Sequence, residues 1–186
     1  KVWAYPIRTK DRVFSIFSEW LAMVENQTGR KLKCLRTDNG GEFKSDKFVK
    51  FCRERSIRRE YTTPYSPEQN GIVERMNQTI QERIVSMLQH SGLSDGFWAE
   101  ALLTAVHIIN MSPSRPLGLQ IPQEIWTGSK PNYDKLRIFG CEAYALIPKD
   151  DRRKLEPRSR KCVFLGYGPD GEIGYRLWDP EHRQIV

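Results

Sequence analysis

From Arg137 onward the apolar residues stop recurring every three or four positions and begin to recur every two, and this change of period allows few architectures. The segments FGCEAYALI, KCVFLGYG, GEIGYRLWD and HRQIV read as short strands, with PDGE (169–172) as a turn. So many strands within residues 137–186 predict a small β-barrel or sandwich. Upstream the pattern differs. VWAYPI (2–7) has strand composition, and residues 11–29 place Val13, Ile16, Phe17, Trp20, Leu21 and Val24 on one helical stripe that ends at Gly29. KLKCLRTD (31–38) and IRREYTT (57–63) are further strands, separated by a helix over 45–56 with Ser45 as its cap. The order β-α-β-α-β predicts an α/β layer with mostly parallel strands. TPYSPEQNG (63–71) is too polar for a core and reads as a mobile loop. A long helix from Ile72 to His90 follows, with Val73, Met76, Ile80, Ile84 and Met87 or Leu88 as its stripe. A second helix over 96–110 is apolar on most of its surface. The predicted organisation is a core over 1–95, a helical extension and linker over 96–136, and a β domain over 137–186.

Charge narrows the range of partners. The chain carries a net charge of +7. Residues 1–91 contribute +6, residues 92–136 contribute −1, and residues 137–186 contribute +2, of which the stretch from Lys149 to Lys161 alone supplies +4. A basic excess favours a polyanionic partner. No apolar run approaches the roughly 18 residues that span a bilayer, so no membrane partner is expected. The first residues read as a strand rather than a leader, and a strand beginning at residue 1 without an initiator Met suggests a fragment of a larger protein. Cys34, Cys52, Cys141 and Cys162 show no C-x-x-C spacing, and the histidines at 90, 107 and 182 are scattered. Buried, reduced thiols in an intracellular protein are expected rather than a zinc site. His107 is expected to be packed, not a ligand. Tyr167, Tyr175 and Trp178 alternate with apolar strand residues and are expected in the core.

Two acids stand out. Asp38 ends a predicted strand, where the C-terminal edge of an α/β sheet opens into a crevice, and Asn-Gly-Gly then turns the chain sharply. Glu74 is expected in the first turn of the long helix, able to reach back to that edge. Each has an ordinary explanation alone: an Asp before Asn-Gly serves turns, and a Glu at a helix start favours the dipole. Together, on rigid elements beside a basic surface, they have the chemistry of a Mg²⁺ site acting on phosphodiesters.

From Asn39 to Val73 there are 35 intervening residues. With TDNGGEF and SPEQNGIVERMN, this spacing resembles the catalytic core of retroviral and LTR-retrotransposon integrases. FWAEALLTAVHIIN, LRIFGCEAY, CVFLGYG and GYRLWDP, in that order, are similar to the Ty1/copia type, so the resemblance covers nearly the whole chain. It implies an α/β, RNase H-like core lacking its first strands, then helices and a small C-terminal SH3-like β-barrel. It also implies that Asp38 is the second catalytic aspartate and Glu74 the catalytic glutamate, both metal ligands. The family's first aspartate lies upstream of the strand resembling KVWAYPI, and its zinc-binding module is absent here; Asp11, after a turn at the start of a helix, is explained by N-terminal capping or dipole stabilisation. The fragment alone is therefore expected to be inactive.

The complete protein would use two Mg²⁺ (or Mn²⁺) ions to trim the element's DNA end and then join it to target DNA. Gln78 and Gln81 lie at i+4 and i+7 from Glu74, on the helix face that contacts DNA ends in the family; Arg75, Asn77 and Arg83 flank it. A solvated helix face explains the same pattern. Tyr65, Ser66, Gln69 and Asn70 would help position DNA. Lys149, Arg152, Arg153, Lys154, Arg158, Arg160 and Lys161 would contact phosphates in the SH3-like domain. The partners implied are element-end DNA, target DNA and further copies of the chain, in the nucleus and in a cytoplasmic virus-like particle. Two rival readings stand beside this one: an RNase H-like nuclease, and a non-catalytic DNA-binding or assembly module from a decayed or domesticated element.

Overall fold

The computed structural model describes the backbone of residues 1–62, 67–168 and 174–186, and the side chains of these except 67–70. The chain forms two compact units, one over Tyr5–Asn77 and the other joining Lys1–Ala4 to Gln78–Val186.

In the unit Tyr5–Asn77, a 3₁₀ turn at Lys10–Arg12 leads into helix α1 (Val13–Thr28), which stops at Gly29 in the left-handed conformation. Strand β1 (Cys34–Thr37), the one-turn helix α2 (Gly41–Lys44), helix α3 (Asp46–Glu54) and strand β2 (Arg58–Tyr61) follow. The two strands pair in parallel, with Cys34 opposite Arg58 and Thr37 opposite Tyr61. The alternation of helix and parallel strand is as the sequence pattern requires.

The core gathers where the helical stripe of α1 meets α3. Leu21, Phe48, Cys52 and Ile57 are buried, with Phe14, Phe17, Trp20, Leu32, Leu35, Phe43 and Phe51 packed around them. Phe48 stacks on Phe17 at 5.0 Å and meets Phe14 and Phe43 edge-on at 5.7 and 5.5 Å, arrangements that suit the ring quadrupole. Among the described residues of this unit, Glu25 is the buried charge. Its carboxylate accepts the Leu32 amide, Lys31 and Arg55, all at 3.0 Å. The Leu32 N–H first, then Lys31 and Arg55, hold its pKa below the ordinary carboxylate value against the opposing pull of burial.

Helix α4 (Pro67–Ser91) starts five residues earlier than the sequence reading placed it. Pro67 occupies the first helical position, where its missing N–H costs nothing, so Pro-Glu-Gln-Asn opens the helix and does not belong to a polar loop. The remainder of that predicted loop, residues 63–66, lies outside the described residues.

In the second unit, a 3₁₀ turn (Asp95–Phe97) precedes helix α5 (Trp98–Asn110). A short helix α6 (Pro122–Thr127) then falls within the stretch read as linker, bounded by Pro122 at its start and left-handed Gly128 at its end. Strands β3 (Glu142–Leu146), β4 (Ser159–Tyr167), β5 (Tyr175–Asp179) and β6 (Gln184–Ile185) form one antiparallel sheet in that order. These are the four segments singled out by their period of two; PDGE lies outside the described residues.

Two glycines set how closely the helices approach this sheet. A Cβ on Gly166 would stand 2.5 Å from Thr104 Oγ1, and the Thr104 hydroxyl donates to the Leu165 carbonyl at 2.8 Å. A Cβ on Gly140 would stand 2.1 Å from Cβ of Ser91. Glu100 and Arg176 add a bidentate ion pair between α5 and β5, at 2.8 and 3.0 Å. Leu88, Ala101, Phe139 and Leu165 are the buried centre.

Several expectations are corrected. VWAYPI is not a strand: the Asn110 side-chain amide takes both the N–H and the C=O of Val2, at 2.8 and 2.7 Å, in place of a neighbouring strand. Ser45 occupies the N-cap of α3, but its hydroxyl donates to the Glu42 carbonyl instead of capping. Val73 is exposed, not part of a buried stripe. All four cysteines are free, but only Cys52 and Cys162 are buried. Tyr175 is exposed at the sheet surface, where its hydroxyl donates to the Lys135 carbonyl. His107 is packed as expected, stacked on Tyr167 at 4.0 Å, and burial first, then the charge of Lys1, lowers its pKa. Among the described residues no helix is long and apolar enough to cross a membrane.

Candidate functional site

Asp38 sits one residue beyond β1, at the C-terminal end of the parallel pair, and is exposed. Its Oδ1 accepts the Gly40 N–H at 2.9 Å, closing an Asx turn. Next to it, the Asn39 amide donates to the Thr62 carbonyl at 2.7 Å and so ties this turn to the end of β2. The carboxylate is thus presented on a braced turn with one oxygen engaged locally. On the same strands, Glu60 receives Arg36 at 2.9 Å and Arg58 at 2.7 Å. The Arg36 hydrogen bond is the largest influence keeping the Glu60 pKa low. This flanking charge network was not singled out in the sequence, because Arg36 reaches Glu60 only through the β1–β2 register.

Glu74 is exposed on α4 and belongs, like Asp38, to the unit Tyr5–Asn77. Because the helix begins at Pro67, Glu74 is its eighth residue, at the start of the third turn and not in the first, and a helix-start dipole no longer accounts for it. Arg75 and Asn77 are exposed and Arg83 is half-buried. Gln78 and Gln81 are exposed along a stripe with Glu82, Val85, Ser86 and Gln89, and the Gln78 amide donates to Glu82 at 2.9 Å. Tyr65 lies outside the described residues, as do the side chains of Gln69 and Asn70.

The seven cations between Lys149 and Lys161, of which only Arg160 and Lys161 lie in a strand, differ in their surroundings. Lys149, Arg153, Lys154 and Arg158 are exposed, Arg153 standing 3.9 Å from Glu156. Arg160 instead meets the buried Asp179 at 3.2 Å, and Lys161 meets Glu142 at 2.5 Å, while Arg152 is half-buried. Asp179 also accepts the N–H groups of Glu181 and His182 and the His182 ring at 2.8 Å. Burial pulls its pKa up, but these donors outweigh that pull and hold it below the ordinary value. Arg160 and Lys161 therefore hold the sheet together as well as carrying charge, a role that spacing alone does not reveal.

The comparisons with known proteins agree with this architecture. A family model described as the retroviral polymerase SH3-like domain matches residues 141–186, and one described as the TnsB C-terminal domain matches residues 18–90. All 186 residues align at 49% identity with the retrovirus-related Pol polyprotein from transposon TNT 1-94 of Nicotiana tabacum, covering 14% of that protein. Over 86 residues, 46% of this chain and 69% of the other, identity is 48% with an uncharacterized mitochondrial protein of Arabidopsis thaliana. Among solved structures, the simian T-cell lymphotropic virus intasome in complex with PP2A regulatory subunit B56 gamma shares the fold. Its TM-score is 0.52 at 18% identity, over 93% of this chain and 63% of that one. The chain spans only a small part of the curated polyproteins it matches, 14% of the first and 11% of the next.

Proposed function

The chain belongs to the Ty1/copia-type retrovirus-related Pol polyproteins as their integrase-like region, and from that premise we propose that it serves DNA 3′-end processing and strand transfer in the full-length protein. The observation that carries this reading is Asp38 on its braced turn at the C-terminal end of a parallel strand pair, with exposed Glu74 in the same unit. Their carboxylate oxygens are the donor type that Mg²⁺ or Mn²⁺ takes. The described residues gather no group of three or more His, Cys, Asp or Glu able to hold a metal, so they do not complete such a centre by themselves. A third carboxylate would come from the segment preceding residue 1 in the longer polyprotein. Two bound ions would stabilise the attacking and leaving oxygens of the displaced phosphodiester.

The remaining roles belong to the chain's own side chains. Asp38 and Glu74 are catalytic and ligand residues. Gln78 and Gln81, with Arg75, Asn77 and Arg83, hold the element end, together with Tyr65, Gln69 and Asn70. Lys149, Arg153, Lys154 and Arg158 bind phosphates without reading sequence, and Arg152, Arg160 and Lys161 add charge to that surface. The protein works on DNA as a homo-multimer, within the nucleus and a cytoplasmic virus-like particle.

The test uses the complete integrase region, with the upstream segment present, on a labelled duplex ending in the element's terminal sequence. Asp38→Asn and Glu74→Gln should each lower strand transfer by at least about 100-fold while DNA binding persists, whereas Gln78→Glu with Gln81→Glu should weaken binding of the end. Strand transfer undiminished in Asp38→Asn would sink the catalytic assignment and favour a non-catalytic DNA-binding module.

A further inference from the structure

The outer edge of the C-terminal sheet is built to receive another strand. β3 is the terminal strand of its sheet, and among the described residues nothing pairs with its free side. The register fixes which main-chain groups face outward. Ile147 N–H donates to the Arg158 carbonyl and Phe164 N–H to the Cys141 carbonyl, so the odd-numbered residues of β3 are the ones bonded to β4. Alternation in an antiparallel pair then directs the N–H and C=O of Glu142, Tyr144 and Leu146 toward the open edge.

Natural edge strands are blunted with Lys, Pro, bulges or brevity. The opposite edge strand, β6, is two residues long and protected by brevity. β3 has five residues, EAYAL, with neither Lys nor Pro. On its exposed face Glu142 is engaged by Lys161 and the Tyr144 hydroxyl, while Tyr144 is 62% and Leu146 78% exposed, and Leu155 in the following loop is 97% exposed. Beside the C-terminal end of β3 runs the basic stretch Lys149–Lys161, with its net +4.

We propose that β3 binds, by strand addition, an extended peptide with apolar residues at alternate positions and acidic residues at the end lying beside Lys149, Lys154 and Arg158. In an antiparallel pair with a second copy, each basic stretch would lie at the Glu142 end of the other strand, where that carboxylate is already engaged by Lys161, whereas an acidic peptide end answers the exposed cations directly. DNA phosphates can share the flanking cations, as proposed above, but a duplex has no extended polypeptide backbone to continue the ladder and gains nothing from Leu146 and Leu155. Affinity comes from main-chain hydrogen bonds, and specificity from Tyr144, Leu146 and the flanking cations.

The test titrates the whole chain with a synthetic peptide that alternates valine and threonine and ends in three glutamates, made in both chain directions, and with the same peptides ending in three lysines. A short DNA duplex serves as the third probe. In one direction the acidic peptide should bind at least about tenfold tighter than its lysine counterpart, shifting the amide resonances of Glu142, Tyr144 and Leu146. Tyr144→Pro removes an outward N–H without touching the ladder to β4 and should weaken the peptide by about tenfold or more. Leu146→Lys, which leaves the backbone alone, should weaken it too. Three outcomes overturn the proposal: equal affinity for acidic and lysine peptides, unchanged affinity in folded Tyr144→Pro, or edge amides that respond only to the duplex. The last would make this a nucleic-acid surface.

Discussion

The two compact units both set helices against strands, but they achieve close packing by different means. In Tyr5–Asn77 the space between α1, α3 and the short parallel pair is filled by side chains, above all the aromatic ring cluster around Phe48. In the C-terminal unit the helices come close enough for the absence of a side chain to matter: Gly140 lies against Ser91 and Gly166 against Thr104. The first unit should therefore be sensitive to removal of atoms and the second to their addition. A side-chain core leaves the ends of β1 and β2 free to carry a braced, exposed turn. Close main-chain approach fixes the C-terminal sheet and leaves its outer edge free for partners.

The largest expected effect comes from adding one methyl group. Gly140→Ala places Cβ 2.1 Å from Ser91 Cβ and 3.0 Å from its Cα, at a φ of +81° that alanine resists. Backbone has to move, so a loss of about 4 kcal/mol is expected, concentrated in the C-terminal sheet. Gly29→Ala is the matched control. It shares a positive φ of +64° but meets nothing within 4 Å, and should cost about 1 kcal/mol. Denaturant unfolding of both variants separates the close approach from the dihedral; equal losses would show that the dihedral alone matters.

Next in size is removal of atoms from the other core. Leu21→Ala, at a residue 1% exposed among the aromatic rings, should cost about 3 kcal/mol and raise hydrogen exchange in α1 and α3 ahead of β4. Uniform exchange through both units would mean that they unfold as one and that the contrast drawn here has no energetic content.

Acid should act on both units by the same sign. The carboxyls of Glu25 and Asp179 are held below their ordinary values in the fold. The stability they contribute is thus present above the unfolded carboxylate pKa of about 4 and is lost as pH falls through the lower folded values. Melting temperature should stay level from neutral pH to about 5 and decline below about 4. Glu25→Gln should flatten the decline followed in α1, and Asp179→Asn that followed in β4. A decline that neither substitution alters would place the acid sensitivity elsewhere.

How much of this was legible in the sequence follows from the range of the interactions. The period of two after Arg137 identified all four strands of the sheet, because alternation is a local consequence of the pleat. The stripe of α1 and its stop at Gly29 were local in the same way. Pro67 was misread because proline opens helices and loops alike, and only the following turn of Glu-Gln-Asn-Gly decides between them. VWAYPI has strand composition, yet its partner is a side chain 108 positions away, which no local pattern reports. At the site, Asn-Gly-Gly announced a turn beside Asp38. The brace from Asn39 to Thr62 required knowing that β1 and β2 lie side by side. The pairing of Arg160 with Asp179 likewise depends on register across the sheet, so the sequence offered Arg160 only as a phosphate contact.

The smallest expected change in stability is also the sharpest test of what the exposed turn is for. Asp38 has a structural task, accepting the Gly40 N–H, and a proposed chemical one. Asparagine retains an Oδ1 acceptor at the same place, so Asp38→Asn should keep the turn and alter stability by less than about 0.5 kcal/mol. Alanine has no acceptor; Asp38→Ala should cost about 1 kcal/mol and loosen the Asn39–Thr62 tie. If strand transfer by the complete integrase region falls equally in both variants while only alanine disturbs the fold, the carboxylate's charge is what the reaction needs. If activity instead follows stability, full in asparagine and reduced in alanine, then Asp38 serves the turn alone.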